Sequence, residues 1–396
     1  MKILIVRNFP SYMSVVNCSY NVQELGLAKA LVRAGHECDI LFWTNGREED
    51  VRVGFDGGLS VTVYYRKGIS FLKNVIFTGC DGLFARYDVL QAAEYNQIQS
   101  WIFAKKYRGK TVIYHGPYYS PVAKRYNAAC AVFDLFFLRR YVKLDTGFIA
   151  KSRLAGELLE SKGIRRERIA VAGVGMDVQL LTDGSSVCGL PLYKEMCADG
   201  SGLKMLYVGR MDDKRDVPFI LDVFAEVKKK RPGVKLYMVG NGEPKYLRKI
   251  WRRAARLGVK DDVVWEKKVE QKYMSLLYNQ ADYFLFPSRY EIYGMVLMEA
   301  MYFGDIVLST DNGGSCMLIN NGENGYIIDS RDAREWADTI LSLSEDPNGA
   351  ERIAAAAVRT VTEEFSWDTL APVFIGQYEI LLNEGSQNGN FPKSDK

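Results

Sequence analysis

The feature that most limits what this chain can fold into is an alternation that runs, stops and starts again. Short apolar runs of strand length alternate with amphipathic stretches of helical length. Residues 2–6 (KILIV) read as a buried strand, residues 21–34 as a helix closed by Gly35, and residues 38–43 (CDILFW) as a second strand. Further strands are predicted at 111–114, 146–150 and 168–172, with helices at 89–107 and 152–162. The pattern fades over the Gly- and Ser-rich stretch 183–203 and then restarts. Strands fit 204–208, 234–239, 262–265, 281–286, 305–309 and 325–328, and helices fit 332–344, 349–364 and 367–384. Such an order favours parallel sheets covered by helices on both faces. The expectation is an α/β chain of two doubly wound domains, 1–184 and 204–365, joined by a linker at 185–203. A C-terminal helix over 366–385 is expected to pack back toward the first domain, followed by a disordered polar tail at 386–396. Doubly wound sheets bind ligands beyond the carboxyl ends of their strands, so two of them imply a cleft.

Composition removes other classes. With 396 residues, 48% of them hydrophobic, the chain can build sizeable cores. No run approaches the roughly 18 apolar residues of a spanning helix. The opening MKILIVRNFP has too short an apolar run for a secretory signal. Seven scattered cysteines without a CxxC read as thiols of a reducing cytoplasm, and two histidines rule out a multi-histidine metal centre. The formal charge of +4 is too mild to imply nucleic-acid binding. It is unevenly spread: residues 1–184 carry 25 basic and 17 acidic side chains (+8), and residues 185–396 carry 27 and 31 (−4).

Five constellations carry chemistry. The strongest is PSRYEIYGMVLME at 287–299, which follows a strand and opens a helix. A helix start offers free amides and positive dipole, and Gly294 permits close backbone approach to a ligand. Glu291 sits in the loop and Glu299 eight positions on, inside the helix; eight helical positions turn about 800°, leaving about 80° between their directions, so the two carboxylates can face one ligand at different depths. The alternative is a capped surface helix with two solvated glutamates. Second, MLYVGRMDDKRD at 205–216 puts Arg210, Lys214 and Arg215 at a strand's carboxyl end, suited to a departing diphosphate or merely a basic turn; Asp212 and Asp213 are expected in local ion pairs. Third, VGNGE at 239–243 marks a tight turn at Gly240 as readily as a ligand site. Fourth, His115 in YHGPY follows a strand and is expected to project into the cleft, as a hydroxyl partner or a structural histidine. Fifth, FDLFFLRRYVK at 133–143, with KKYRGK at 105–110 and Lys124–Arg125, suits either an interfacial helix on anionic lipid or a half-buried helix with snorkelling cations.

Together these residues resemble a retaining GT-B glycosyltransferase of the family-4 type (glycosyl transferases group 1). The likeness includes GHE at 35–37, VAGVGMD at 171–177, VGR at 208–210, ADYFLFPSRYEIYGMVLMEAM at 281–301, STDNGG at 309–314 and NGENGY at 321–326. It implies two Rossmann-like domains, 1–184 for the acceptor and 204–365 for a nucleotide sugar. It further implies that Arg210 with Lys214 or Arg215 holds the donor diphosphate and that Glu291 binds the transferred sugar. The amides of Tyr293, Gly294, Met295 and Val296 would bind sugar and phosphate, and Glu299 the ribose hydroxyls. Lys267–Val269, with Lys268, would reach the base, and His115 the donor sugar. Gly240 joins the donor set. Departures from the family pattern are Cys18 and Ser19 in place of a glycine pair, Ile292 in place of a glycine, and Arg215–Asp216 in place of Lys-Gly.

The implied reaction moves a hexose-type sugar from a UDP- or GDP-sugar to a hydroxyl of a glycan or lipid-linked glycan, in polysaccharide or glycoconjugate synthesis. Same-face attack is favoured over a carboxylate nucleophile, because no acidic residue stands out in the first domain's loops. No metal or other cofactor is expected. A cytoplasmic protein is expected, with an anionic membrane surface as a partner of the basic half. A nucleotide-sugar epimerase and a non-catalytic nucleotide-sugar-binding or membrane-associated scaffold stand as alternatives.

Overall fold

The computed structural model describes residues 1–10, 14–15, 22–144, 146–178, 181 and 189–387. The Cys18–Ser19 departure, residues 182–188 and the tail beyond 387 lie outside the described residues. The chain divides into two units: Met1–Met176 with Phe365–Lys396, and Asp177–Glu364.

The first unit is built on an eight-stranded sheet in the order Ile169–Val171, Gly147–Ala150, Thr111–His115, Val89–Ala93, Lys2–Val6, Glu37–Trp43, Leu59–Arg66 and Glu49–Phe55. All neighbours are parallel except the last pair. Continuous apolar runs make the central strands because both faces are covered; Ile3, Leu4, Ile40, Leu41, Ile113 and Ile149 have no exposed surface. Two expectations change here. The stretch 89–107 is not one helix: Val89–Ala93 is a strand and the helix begins at Ile98. A hairpin of Glu49–Phe55 and Leu59–Arg66, with a smaller one of Gly68–Phe71 and Asn74–Phe77, occupies a region with no predicted element. Leu59–Arg66 alternates buried and half-exposed residues, the period-two signature of a strand near a sheet edge.

The helix Trp367–Gln387 belongs to this first unit. Tyr378 Oη donates to Gln91 Oε1 at 2.6 Å and Gln377 Nε2 to the Arg168 carbonyl at 3.0 Å. The Trp367 indole fills space that a side chain on Gly26 or Gly175 would occupy, with a Cβ at 2.2 and 2.5 Å respectively.

The second unit has six parallel strands in the order Val263–Glu266, Lys235–Val239, Lys204–Val208, Tyr283–Phe286, Ile306–Ser309 and Tyr326–Ile327. The order reverses beside Lys204–Val208, the topological switch of a Rossmann-like sheet. The segment expected as a linker is folded where it is described. Pro191 opens a helix, Pro191–Ala198, and Leu192 and Met196, one turn apart, are buried.

Candidate active site

The carboxyl ends of three neighbouring strands in the second unit carry the residues singled out above. Lys204–Val208 runs into Gly209, whose φ of +157° is one that L side chains rarely adopt. The loop closes at Asp216, held at φ +50° ahead of helix Val217–Lys230. Tyr283–Phe286 leads into loop 287–294 and helix Met295–Phe303. Ile306–Ser309 leads into Thr310–Gly314.

The first two loops are bound to each other. The Arg289 N–H donates to the Lys214 carbonyl at 2.8 Å. Arg215 Nη1 donates to the Tyr290 carbonyl at 2.7 Å, and its Nη2 lies 2.6 Å from Glu291 Oε2. Glu291 Oε1 accepts the Ile292 N–H at 3.0 Å. Burial pushes the Glu291 carboxyl above the ordinary carboxylate range, opposed by the Arg215 guanidinium and the Ile292 and Tyr293 amides. The third loop closes on the second by contact that only glycine allows. A Cβ on Gly313 would stand 2.2 Å from the Ile292 carbonyl oxygen, and one on Gly314 1.6 Å from that of Tyr293. The Asn312 carboxamide fixes this loop, accepting from the Gly314 and Ser315 amides at 3.0 and 3.1 Å. In the sequence STDNGG is marked only by its likeness to the family; its role in building the site depends on where Glu291 falls in space.

Gly294 takes φ +79° and caps helix Met295–Phe303 without a side-chain hydrogen bond. The Met295 and Val296 amides belong to the first turn and have no i−4 carbonyl inside the helix. A short stretch of backbone therefore offers donors and positive dipole beside the Arg215–Glu291 pair.

The two glutamates do not share a face. The helix starts at Met295, so Glu291 lies in the loop ahead of the Gly294 reversal and the 80° argument does not apply to it. Glu299 is buried at 2% exposure, with its two oxygens accepting from Gln271 Nε2 at 3.0 Å and Tyr278 Oη at 2.9 Å. Burial raises its pKa against those two hydrogen bonds. Neither donor stood out in the sequence, because a helical Tyr and the Gln that opens the short 3-10 turn Gln271–Tyr273 look like any others until Glu299 is seen between them.

The remaining predicted residues divide. Lys214 is exposed, its Nζ 4.8 Å from the Tyr290 ring centroid. Arg210 is exposed, 3.6 Å from Asp212, while Lys249 reaches Asp213 at 3.4 Å, so both aspartates stand in local ion pairs. Gly240, at φ +151°, is a packing residue: its Cβ would meet the Gly209 carbonyl oxygen at 1.9 Å, and its own carbonyl accepts from Trp265 Nε1 at 2.8 Å. Lys268 and Val269 lie in the loop after Val263–Glu266, Lys268 exposed.

His115, in the first unit, is enclosed rather than projecting. It has no exposed surface, lies edge-on to Tyr95, and its Nδ1 is 2.7 Å from Glu94 Oε2. The cause is Glu94, held at φ +57° at the end of the adjacent strand, where it meets both the imidazole and the Gly116 N–H at 3.2 Å. Among the described residues, no group of three or more His, Cys, Asp or Glu side chains gathers to hold a metal ion.

Known proteins resemble this chain in sequence and in fold. Residues 198–360 match the family described as glycosyl transferases group 1. Among curated proteins, a D-inositol 3-phosphate glycosyltransferase of Segniliparus rotundus is 27% identical over 234 residues, 59% of this chain and 51% of that protein. One of Mycolicibacterium smegmatis is 27% identical over 239 residues, 58% of this chain and 51% of that protein. The chain thus spans about half the length of these relatives. Among solved structures, Anabaena HepE in complex with UDP superposes with a TM-score of 0.69 at 17% identity, covering 96% of this chain and 100% of that one. A trehalose-6-phosphate structure from E. coli bound with UDP-2-fluoro glucose gives a TM-score of 0.70 at 13% identity, covering 96% and 99%. The chain has the GT-B fold of two Rossmann-like units, and residues 198–360, within its second unit, are similar to the glycosyl transferases group 1 family.

Proposed function

We propose that this chain is a retaining glycosyltransferase that moves a sugar from a nucleoside diphosphate sugar to a hydroxyl of a glycan or lipid-linked glycan. The reading rests on one observation: the Arg215–Glu291 pair stands beside an uncapped helix start, on loops drawn together by Gly313 and Gly314. A carboxylate suits sugar hydroxyls, and cations with free amides suit a diphosphate. The curated relatives named as glycosyltransferases and the structures holding UDP or a UDP-sugar support this choice of ligand.

Glu291 accepts a hydroxyl of the transferred sugar, and the Arg215 guanidinium opposes the burial that raises its carboxyl. The exposed Arg210 and Lys214 meet the diphosphate together with the Met295 and Val296 amides. Glu299 takes ribose hydroxyls by giving up the Gln271 amide while keeping Tyr278. In the reaction the bond from the anomeric carbon to the phosphate oxygen breaks. A bond from that carbon to the acceptor oxygen forms on the same face, and the acceptor proton passes to the leaving diphosphate. The protein's cations and helix amides stabilise the charge that develops there.

A calorimetric screen of UDP-, GDP- and ADP-sugars tests the donor. One of them should bind and raise the melting temperature, because a ligand that binds only the native state stabilises it. Glu291→Ala should lower transfer by about 100-fold or more. If no nucleotide sugar binds, or if Glu291→Ala transfers at the normal rate, the assignment fails. Conversion of the donor sugar without an acceptor would mark an epimerase instead.

A further inference from the structure

The first unit carries two exposed apolar projections that play no part in the donor chemistry. One lies on the helical segment Lys124–Phe133, Asp134–Leu138 and Arg139–Tyr141. Its inner side is core: Cys130, Phe133 and Tyr141 are buried, and Phe137 packs on Trp101 with ring centroids 5.0 Å apart. Its outer side presents Val132, Leu135 at 77% exposure and Phe136 at 66%. Exposed cations on the same segment are Lys124, Arg125, Arg139 and Arg140. Its acidic residue, Asp134, is turned inward to Lys162 at 2.5 Å.

The other projection is the hairpin Gly68–Phe71 and Asn74–Phe77. Ile69, Phe71 and Leu72 are exposed, Leu72 at 77%. Leu72 and Lys73 form the turn at φ +46° and +61°, a conformation that side chains other than Gly, Asn and Asp rarely adopt. The fold therefore holds an apolar residue outward at a backbone position where glycine would be cheaper. The two projections flank one helix, Ile98–Lys106. The Ile98 N–H donates to Asn74 Oδ1 at 2.8 Å and the Phe77 N–H to Gln99 Oε1 at 2.9 Å, while Trp101 meets Phe137.

We propose that the hairpin tip and the 132–140 segment form one docking surface for an anionic lipid bilayer. Leu72, Phe71, Leu135 and Phe136 enter the boundary between headgroups and acyl chains, and Arg139, Arg140, Lys73 and Arg125 meet the headgroup phosphates. Apolar side chains ringed by cations complement anionic lipid, whereas a protein partner for the same face would have to supply carboxylates and an apolar groove together. No helix among the described residues is long and apolar enough to cross a membrane, so the contact is one of lying on the surface.

The test is co-sedimentation of the full chain, without donor or acceptor, with phosphatidylcholine vesicles and with phosphatidylcholine–phosphatidylglycerol vesicles. The variants are Leu135→Ser/Phe136→Ser, Phe71→Ser/Leu72→Ser and Arg139→Gln/Arg140→Gln, each checked for an unchanged melting temperature. Wild type should bind the anionic vesicles, more weakly as salt rises, and each variant should lose about tenfold in affinity or more. The proposal is overturned by no binding at low salt, by equal binding to neutral vesicles, or by full binding of the hairpin variant. It is equally overturned by a concentration-dependent dimer that the serine variants abolish, which would make this face a contact between copies. Because binding is read without nucleotide sugar, a negative result leaves the donor assignment standing.

Discussion

Glu94 in the first unit and Glu291 in the second occupy equivalent places. Each lies beyond the carboxyl end of a parallel strand, and each side chain keeps the same small exposure, 15% for Glu94 and 14% for Glu291. Their carboxyls nevertheless shift in opposite directions. Both are pushed up by burial, but for Glu94 the contact with His115, the nearby Lys151 and the Gly116 amide overcome it, and the carboxyl falls below its ordinary value. For Glu291 burial wins over Arg215 and two amides. Equal exposure therefore does not set the direction of the shift; the surrounding charges do, and Glu291 also faces the like charge of Asp212. Glu94 is held as a carboxylate by its own unit. Glu291 is held by the Arg215 guanidinium and the loop amides, yet burial remains the larger influence on its carboxyl.

The largest effect that can break this comparison is on turnover. Arg215→Gln removes the guanidinium opposing burial, so Glu291 should titrate still higher. Donor turnover should fall by about 100-fold near neutral pH, and the acid limb of its pH profile should move upward. An unmoved profile would mean that Arg215 does not set the charge of Glu291. Lys214→Ala run in parallel separates the cations: a rise in donor KM with an unshifted profile is expected of a side chain that meets only the diphosphate.

Next in size is Gly314→Ala. Its Cβ would stand 1.6 Å from the Tyr293 carbonyl oxygen, so loop 310–314 must move off the Glu291 loop. A loss of about 1–3 kcal/mol in urea unfolding is expected, with weakened donor binding. Unchanged donor affinity would separate the loop from the site.

Glu94→Gln should cost about 1–3 kcal/mol near neutral pH, because a charged partner leaves His115 and the Gly116 amide. The sign follows from the direction of the shift. A carboxyl held low in the folded state stabilises above its unfolded pKa, and that stabilisation is lost as pH falls through the folded value. The difference between wild type and variant should therefore shrink in acid. A constant difference would assign the cost to packing.

The smallest effect expected is at Asp305, fully buried, with no hydrogen-bond partner for either carboxyl oxygen among the described residues. Burial, and then the charge of Asp282, hold its carboxyl well above the ordinary range. A raised acid binds its proton more tightly in the folded state, so its contribution worsens as pH rises above about 4. Asp305→Asn should be neutral in acid and stabilising by about 1 kcal/mol or more near pH 7. Equal pH dependence in the two proteins would show that Asp305 keeps a partner after all.

Much of this was readable before folding. Strands such as KILIV and KMLYV are continuous apolar runs because both sheet faces are covered, and that requirement is local and visible. Val89–Ala93 was not, because its residues form helices as readily as strands and only the position between Lys2–Val6 and Thr111–His115 decides. The hairpin strands 49–66 are half polar and carry no continuous apolar run. In the site, Glu291, Arg215 and Gly294 were legible as candidates from their place after strands. That Arg215 reaches Glu291 across 76 positions was not, nor that Glu299 would be enclosed by Gln271 and Tyr278. His115 was expected to project and is instead held by Glu94, a neighbour in space contributed by the next strand.

By itself, then, the sequence determined the doubly repeated α/β order, the strand-to-helix junction at 287–299 and the supply of cations at 210–215. These follow from periodicity and local backbone chemistry, which act over a few residues. Only the tertiary structure decided which carboxylate is paired, which is enclosed and which glycines bring loops into contact. Burial and partnership depend on chain segments far apart in sequence, and the balance between desolvation and donated hydrogen bonds exists only once they meet.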